Sequence, residues 1–275
     1  MASQHQGHVD AAYLDTVQRL LADCKRLTYE QMRIQPGLKV LDVGCGPGTD
    51  TIALAPSVGP SGQVIGVDHD ADMIAEAEKR AQKAGVTAWV THEQADATAL
   101  PFAADHFDAC RCERLFEHLR DPAKALCEMA RVTRSGGWIV ALDSDWGSLS
   151  MDTSEIETER RHVRFFTEHI LNNGYSGRQL YRLFKQQGLV DVSTQMCGVS
   201  FTDYALARRV MLMDSSERDA VASGALSAQD LERLRACWEQ ANADGVFFAS
   251  MSMILVSGRK PVSYTHLTLP TNREV

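Results

Sequence analysis

The stretch VLDVGCGPGTD (40–50) puts glycine at 44, 46 and 48, directly after a short apolar run interrupted by Asp42. Glycine has no Cβ, so such a loop can turn sharply and bring its backbone close to a ligand. Between a strand and a helix, its N–H groups and the helix N-terminus form a cradle, most often for nucleotide phosphates. Two features argue against a pyrophosphate here. A dinucleotide loop reads GxGxxG, and Gly48 comes one residue early. A carboxylate such as Asp42, facing a phosphate at roughly 4 Å, would repel it by about 4 kcal/mol at an effective dielectric near 20. The same carboxylate attracts a ligand carrying an ammonium and a sulfonium, which points to S-adenosylmethionine (SAM).

Further acids fall where strands would end. Asp68 closes VDHD and Asp96 opens the loop ADATALPF, while Asp143 and Asp145 close WIVALDSD. Each has a plain structural reading beside the functional one: Asp68 can cap a helix starting near Ala71, and Asp96 can cap its loop. Arg111 lies inside the apolar strand FDACRC, and a buried arginine requires a carboxylate partner.

The elements that position these residues follow from periodicity. LKVLDVG (38–44), QVIGVDHD (63–70), TAWVTHEQAD (87–96), FDACRC (107–112) and WIVALDSD (138–145) read as strands. TDTIALAPSV (49–58), ADMIAEAEKRAQKAG (71–85) and LRDPAKALCEMARV (119–132) read as helices, with a turn at SGG (135–137). This alternation predicts a parallel sheet covered on both faces. After Trp146 the pattern changes to a polar helical stretch (152–172), an amphipathic helix (176–189), a strand (190–199), a helical stretch (203–243) and a final strand in FFASMSMILVSG (247–258). A minimal sheet would join the last two strands by a hairpin, so 203–243 reads as an insertion, either a substrate cap or a dimer interface. Residues 9–33 read as one or two amphipathic helices, with Val9, Tyr13, Val17, Leu20 and Leu21 at helical spacing.

In order, VLDVGCGPG, VDHD, ADATALPF, FDACRCERLFEHLRDP and TRSGGWIVALDSD resemble the motifs of class I SAM-dependent methyltransferases, and in style those of ubiquinone and menaquinone biosynthesis. The matching residues run from Val40 to Asp145, a bit over a third of the chain. The resemblance implies a Rossmann-like, seven-stranded, mostly parallel sheet with helices on both faces. Around it would lie an N-terminal helical lid (1–35), the methyltransferase domain (36–261) and a helical cap inserted at 203–243. It also implies that Asp42 and the loop Gly44, Cys45, Gly46 receive the methionyl part of SAM. Asp68 would accept both ribose hydroxyls, His69 and Met73 would flank the adenine, and Asp96 would face the adenine amino group beside the N–H of Ala97. Cys112 and Glu113 would meet SAM through their backbone.

Methyl transfer from a sulfonium is an in-line displacement, so positioning does most of the work. A base is needed where the acceptor must lose a proton. His118, just after the fourth strand, is the candidate, beside the reading of a packing or helix-start histidine. Asp143 and Asp145 could hold a divalent metal but read better as hydrogen-bonding groups, and no metal is expected. Tyr13 could close over a sulfonium as a cation–π lid, beside a core-packing reading.

Net charge is −8, which disfavours nucleic acid and anionic membrane as partners. The seven cysteines form no CxxC pair and read as reduced thiols in a cytoplasmic protein. MASQHQGHVD lacks the pattern of a signal peptide, and no apolar run approaches the roughly 20 residues of a membrane span. VSYTHLTLPTNREV (262–275) fits none of the preceding patterns and reads as a non-native or disordered tail. The leading expectation is a methyltransferase of a small, partly apolar acceptor, a quinone precursor or natural-product-like metabolite, with a homodimer possible. A SAM-binding protein without turnover, a methyltransferase of protein or RNA, and an NAD-dependent dehydrogenase are the alternatives. The glycine spacing and Asp42 count against the last.

Overall fold

The seven predicted strands assemble into one sheet, seen here in a computed structural model that describes residues 16–17 and 19–262. They are β1 (Lys39–Val43), β2 (Gln63–Asp68), β3 (Val90–Gln94), β4 (Phe107–Glu113), β5 (Thr133–Met151), β6 (Val190–Phe201) and β7 (Ala249–Arg259). Their order is β3-β2-β1-β4-β5-β7-β6. β1 to β5 pair in parallel, while β7 runs antiparallel between β5 and β6. Strand order reverses between β1 and β4, so their C-terminal ends flank the crevice where open α/β sheets bind ligands.

Nine α-helices lie among the described residues. They are α1 (Ala22–Gln31), α2 (Thr49–Val58), α3 (Ala71–Ala84), α4 (Pro122–Val132), α5 (Ile156–Phe165), α6 (Ser176–Gln186), α7 (Tyr204–Val210), α8 (Met213–Ala222) and α9 (Ala228–Ala243). Local chemistry sets their ends. Asp70 caps α3 by accepting the Asp72 N–H at 2.9 Å, and Gly85 ends it with a left-handed φ of 71°. Asp121 caps α4 ahead of Pro122, whose missing N–H costs nothing in a first turn. Ser227 and Asp230 form a reciprocal capping box on α9.

Alternation along the buried strands sends their side chains to two cores. Val40, Val64, Val90, Ala109 and Val140 join residues of α1, α2 and the 204–243 helices on one face. Leu41, Val43, Ile65, Cys110 and Ile139 join α4 and α6 on the other. α7, α8 and α9 follow β6 and precede β7, and those two strands pair as direct neighbours from Val190 to Phe201. The fifth strand differs from expectation at both ends: it begins at Thr133, paired with Phe107, so SGG (135–137) lies inside the strand and not in a turn before it. β5 is not confined to 138–145, because β7 outlasts β4 as a partner and carries the pairing on to Met151, past an irregularity after Asp145. Tyr13 and the segment from Ser263 onward lie outside the described residues. Among the described residues no helix is long and apolar enough to cross a membrane, and all seven cysteines are free thiols.

At Gly66, in the middle of β2, a Cβ would lie 2.8 Å from each of Cys45 Sγ, His92 Cδ2 and Thr51 Cγ2. The glycine is what lets the loop after β1 and the start of α2 pack down onto the sheet. Gly66→Ala is expected to destabilise the fold by about 1–3 kcal/mol, the usual cost of overpacking. A lowered urea midpoint at unchanged slope is the measurement that checks it.

Candidate cofactor and acceptor site

The glycine loop leaves β1 at the sheet's reversal point. The N–H groups of Gly44 and Cys45 both donate to Val67 O, at 2.8 and 2.9 Å, tying the loop to the end of β2. Gly48 has φ +74°, and a Cβ there would sit 2.8 Å from Ala77 Cβ and 2.9 Å from His92 Nε2. The third glycine therefore comes early because α2 starts pressed against α3 and β3. Thr51 Oγ1 fastens this start, 2.8 Å from Gly48 O and 2.7 Å from His92 Nε2, and His92 Nδ1 lies 2.9 Å from Glu78 Oε1. Burial pushes the His92 pKa down against the pull of Glu78.

Asp68 closes β2 beside this loop. Its Oδ2 accepts the Gly46 N–H at 2.9 Å and its Oδ1 the Asp70 N–H at 3.0 Å. Each oxygen retains a lone pair for a ligand hydroxyl. The helix-capping role belongs to Asp70, not Asp68. His69 is exposed, with Nδ1 3.2 Å from Asp68 Oδ1, and Met73 is half-buried in the first turn of α3. Asp96 is exposed and accepts the Thr98 N–H at 2.7 Å, a bond that holds its pKa down. The loop-capping reading of Asp96 is thus realised, and it leaves the second carboxylate oxygen for other use. Ala97 beside it is buried. All these residues follow the C-terminal ends of adjacent parallel strands and so share one edge.

Asp42 is placed differently from expectation. On β1 it shares the face of Val40, beneath α1 and α2, and it is 2% exposed. Its register partner on β4 is Arg111, whose Nη1 lies 3.1 Å from Asp42 Oδ1. The fully buried guanidinium also meets Asp50 Oδ2 at 3.2 Å and Glu113 Oε2 at 3.0 Å. Lys25 Nζ, from α1, reaches Asp50 Oδ2 at 2.8 Å and Glu113 Oε2 at 3.1 Å. Tyr29, also on α1, donates its hydroxyl to Asp50 Oδ1. Arg114 Nε lies 3.6 Å from the other oxygen of Glu113, so three carboxylates share three cations, and Asp42 Oδ2 has no hydrogen-bond partner among the described residues. Burial pushes the Asp42 pKa up to about 7, against the guanidinium. Burial works the same way on Asp50, but Arg111 and Lys25 prevail and hold it below the usual carboxylate range. The carboxylate of Asp42 therefore does not face the open edge. It belongs to a buried cluster under the loop, in which Arg111, Lys25 and Arg114 answer the carboxylates.

Cys112 is buried and Glu113 spends its carboxylate on Arg111 and Lys25, so both are left to present main chain to the edge. Asp143 is fully buried and accepts from Phe116 N at 2.7 Å, Ser144 N at 2.9 Å and Ser176 Oγ at 2.8 Å. Burial and the nearby Glu117 push its pKa well up. Asp145 receives Arg178 Nε on both oxygens, at 2.8 and 2.9 Å. The pair is therefore occupied with hydrogen bonds, and among the described residues no three metal-ligating side chains gather. The His118 imidazole is half exposed, with Nε2 3.4 Å from Glu117 Oε1. Glu117 is buried and accepts the Trp146 indole N–H at 2.7 Å.

Between these strand ends and the helical additions lies a cavity of about 30 Å³. Val17, Leu20, Leu21, Trp146, Val199, Phe201, Val210, Met251 and Met253 line it, with Arg114 and Ser144 as its polar members. It adjoins the glycine loop, since Leu115, next to Arg114, would lie 3.1 Å from a Cβ on Gly44.

The family description "Methyltransferase domain" matches residues 34–188. This chain belongs to the class I SAM-dependent methyltransferases. It is 34% identical over 249 residues to an uncharacterised 37.1 kDa protein of transposon TN4556 from Streptomyces fradiae, covering 90% of this chain and 70% of that protein. It is 37% identical over 182 residues to the demethylmenaquinone methyltransferase of Anoxybacillus flavithermus, covering 61% of this chain and 76% of that one. Among solved structures, the YcgJ protein of Bacillus subtilis superposes with a TM-score of 0.64 at 21% identity, covering 88% of this chain and all of that one (100%). Geranyl diphosphate methyltransferase in complex with SAM superposes at 0.56 with 18% identity, covering 94% and 92% of the two chains. These two likenesses are of fold.

The candidate site also gathers residues that the sequence did not single out: Lys25, Tyr29, Asp50, Glu117 and Trp146. Lys25 carried a signal, because it sits four residues after Leu21 and beside Cys24 and Thr28 on the buried side of α1. A lysine on a buried helical stripe needs a carboxylate. Arg111→Met removes the shared cation and leaves Asp42, Asp50 and Glu113 facing one another. The expected loss is about 3–5 kcal/mol of unfolding free energy, the range for breaking a buried pair, read from denaturant melts.

Proposed function

We propose that this methyltransferase transfers the methyl group of SAM to a small, partly apolar acceptor bound against the cavity beside the glycine loop. The observation that carries this reading is the cavity lining, almost wholly apolar and set next to the cofactor edge. At about 30 Å³ the cavity is smaller than an organic acceptor, so its walls must part to admit one. We assign the N-terminal helical segment (1–35) as lid and the helices of 203–243 as cap, which reach the cavity through Val17, Leu20, Leu21 and Val210.

SAM supplies an already activated methyl group, and the chain's task is to hold donor and acceptor in line. Asp68 would take the ribose hydroxyls with the oxygen lone pairs that Gly46 and Asp70 leave. Gly44, Cys45 and Gly46 would carry the methionyl part over the buried cluster that contains Asp42. Asp96, Ala97, His69 and Met73 would bound the adenine, and the main chain of Cys112 and Glu113 would complete the floor. Apolar walls exclude water, and the polar members of the lining are Ser144 and Arg114, the latter paired with Glu113 at 3.6 Å. His118 would accept a proton from an acceptor that must lose one. The relative that methylates demethylmenaquinone supports a quinone-like acceptor, and the seven free thiols support a reducing, cytoplasmic setting.

Asp68→Ala deletes the ribose-facing carboxylate and should weaken SAM binding about tenfold or more, since charge-assisted hydrogen bonds contribute roughly 1.5–3 kcal/mol. Calorimetric titration with SAM measures it, and an unchanged Kd would remove Asp68 from the site. His118→Ala should leave the SAM Kd unchanged and lower kcat by about 10²–10⁴ for an acceptor that must be deprotonated. Single-turnover assays with such an acceptor separate that effect from binding. A lowered SAM affinity with kcat intact would assign His118 to the cofactor side instead.

A further inference from the structure

α1 lies outside residues 34–188 that the family description matches, yet two of its side chains end beneath the glycine loop. Lys25, 7% exposed, bridges Asp50 and Glu113, at 2.8 and 3.1 Å. Tyr29 donates to the other oxygen of Asp50. Asp50 is the second residue of α2, two residues after Gly48, and Glu113 is the last residue of β4. The two carboxylates therefore sit on either side of the crevice at the sheet's reversal point. The outward side of α1 is ordinary by comparison, with an Arg26–Glu30 pair in solvent.

Undocking α1 leaves Asp42, Asp50 and Glu113 with Arg111, and with Arg114 at 3.6 Å from Glu113, while docking adds Lys25 between Asp50 and Glu113. Like charges left under-compensated in a buried site repel strongly and move apart. What is lost is one of two bridges: Lys25 and Arg111 both join Asp50 to Glu113, and without Lys25 the guanidinium alone holds the start of α2 to the end of β4.

We propose that Lys25 is a positioning residue of the SAM site, so that docking of α1 and binding of SAM form one linked equilibrium. The proposal rests on the methyltransferase reading and extends it to a helix that the domain itself does not supply. Linkage is reciprocal. A helix that strengthens SAM binding must itself be held more firmly when SAM is bound.

Two measurements on the full chain test this. In hydrogen–deuterium exchange, SAM should slow exchange of the α1 amides in the wild-type protein. By calorimetry, Lys25→Met should weaken SAM binding on the order of tenfold, within the usual span of coupling between sites, and should abolish the SAM-dependent protection of α1. Lys25→Arg should restore most of both effects, and Arg26→Ala, which alters the solvent-facing pair, should change neither. If Lys25→Met lowers Tm too far for titration, Tyr29→Phe reads the same coupling by deleting a single hydroxyl. It should weaken SAM binding severalfold and reduce the protection. Wild-type protein that binds SAM with α1 exchange unaltered would overturn the proposal, as would Lys25→Met, or in its place Tyr29→Phe, binding SAM as tightly as wild type. Failure of the wild-type protein to bind SAM at all would strike instead at the reading on which the proposal rests.

Discussion

The guanidinium of Arg111 is fully buried at the seam between β1 and β4, and the arrangement of the cofactor edge follows from satisfying it. A cation of that size cannot leave water without partners close at hand. Three are brought to it by three elements: Asp42 from β1, Asp50 from α2 and Glu113 from its own strand. Each partner constrains its element. Asp42 and Arg111 stand opposite in register, so their pairing reinforces the seam where strand order reverses. Asp50 fixes how α2 leaves the glycine loop. Glu113 fixes the end of β4, where the chain turns away through Arg114 in a left-handed conformation, φ 49°.

The two faces of the crevice use charge differently. On the glycine-loop side the buried carboxylates are answered by the cations Arg111, Lys25 and Arg114. On the other side Asp143 and Glu117 meet neutral donors, and Asp145 is held by Arg178. Asp143 accepts three hydrogen bonds and its pKa lies well up, and Glu117 is engaged by the Trp146 indole. That division follows from which buried carboxylates have guanidinium or ammonium neighbours and which have hydroxyls and amides.

Most of the sheet was legible because its signals are local. Alternation, helical stripes, Asp70, Gly85 and the Asp121–Pro122 pair act within a few residues, and the strands and helices they predict are those observed. The extension of β5 to Met151 was not legible, since it depends on a partner strand about a hundred residues later in the chain. Asp68 and Asp96 were read at the right edge, because the end of a parallel strand fixes the edge. Asp42 was not, because closeness to the glycine loop in sequence says nothing about the face of the strand. Face is set by alternation with Val40 and by the position of Arg111, 69 residues away. The requirement that Arg111 find a carboxylate was legible, but not which one, and the answer turned out to be the residue assigned to the ligand.

The same distinction explains why the donor is easier to read than the acceptor. Glycine loop, Asp68 and Asp96 lie within residues 34–188, the part that carries the family likeness. Of the eleven residues lining the acceptor-side cavity, Arg114, Ser144 and Trp146 fall in that range. The other eight come from the N-terminal segment, the end of β6, α7 and β7. The glycine loop and the cavity are thus built largely by different segments of one chain, with Lys25 and Tyr29 of the N-terminal segment reaching the Arg111 cluster. The family match over residues 34–188 therefore bears on the cofactor edge with far more force than on any one acceptor.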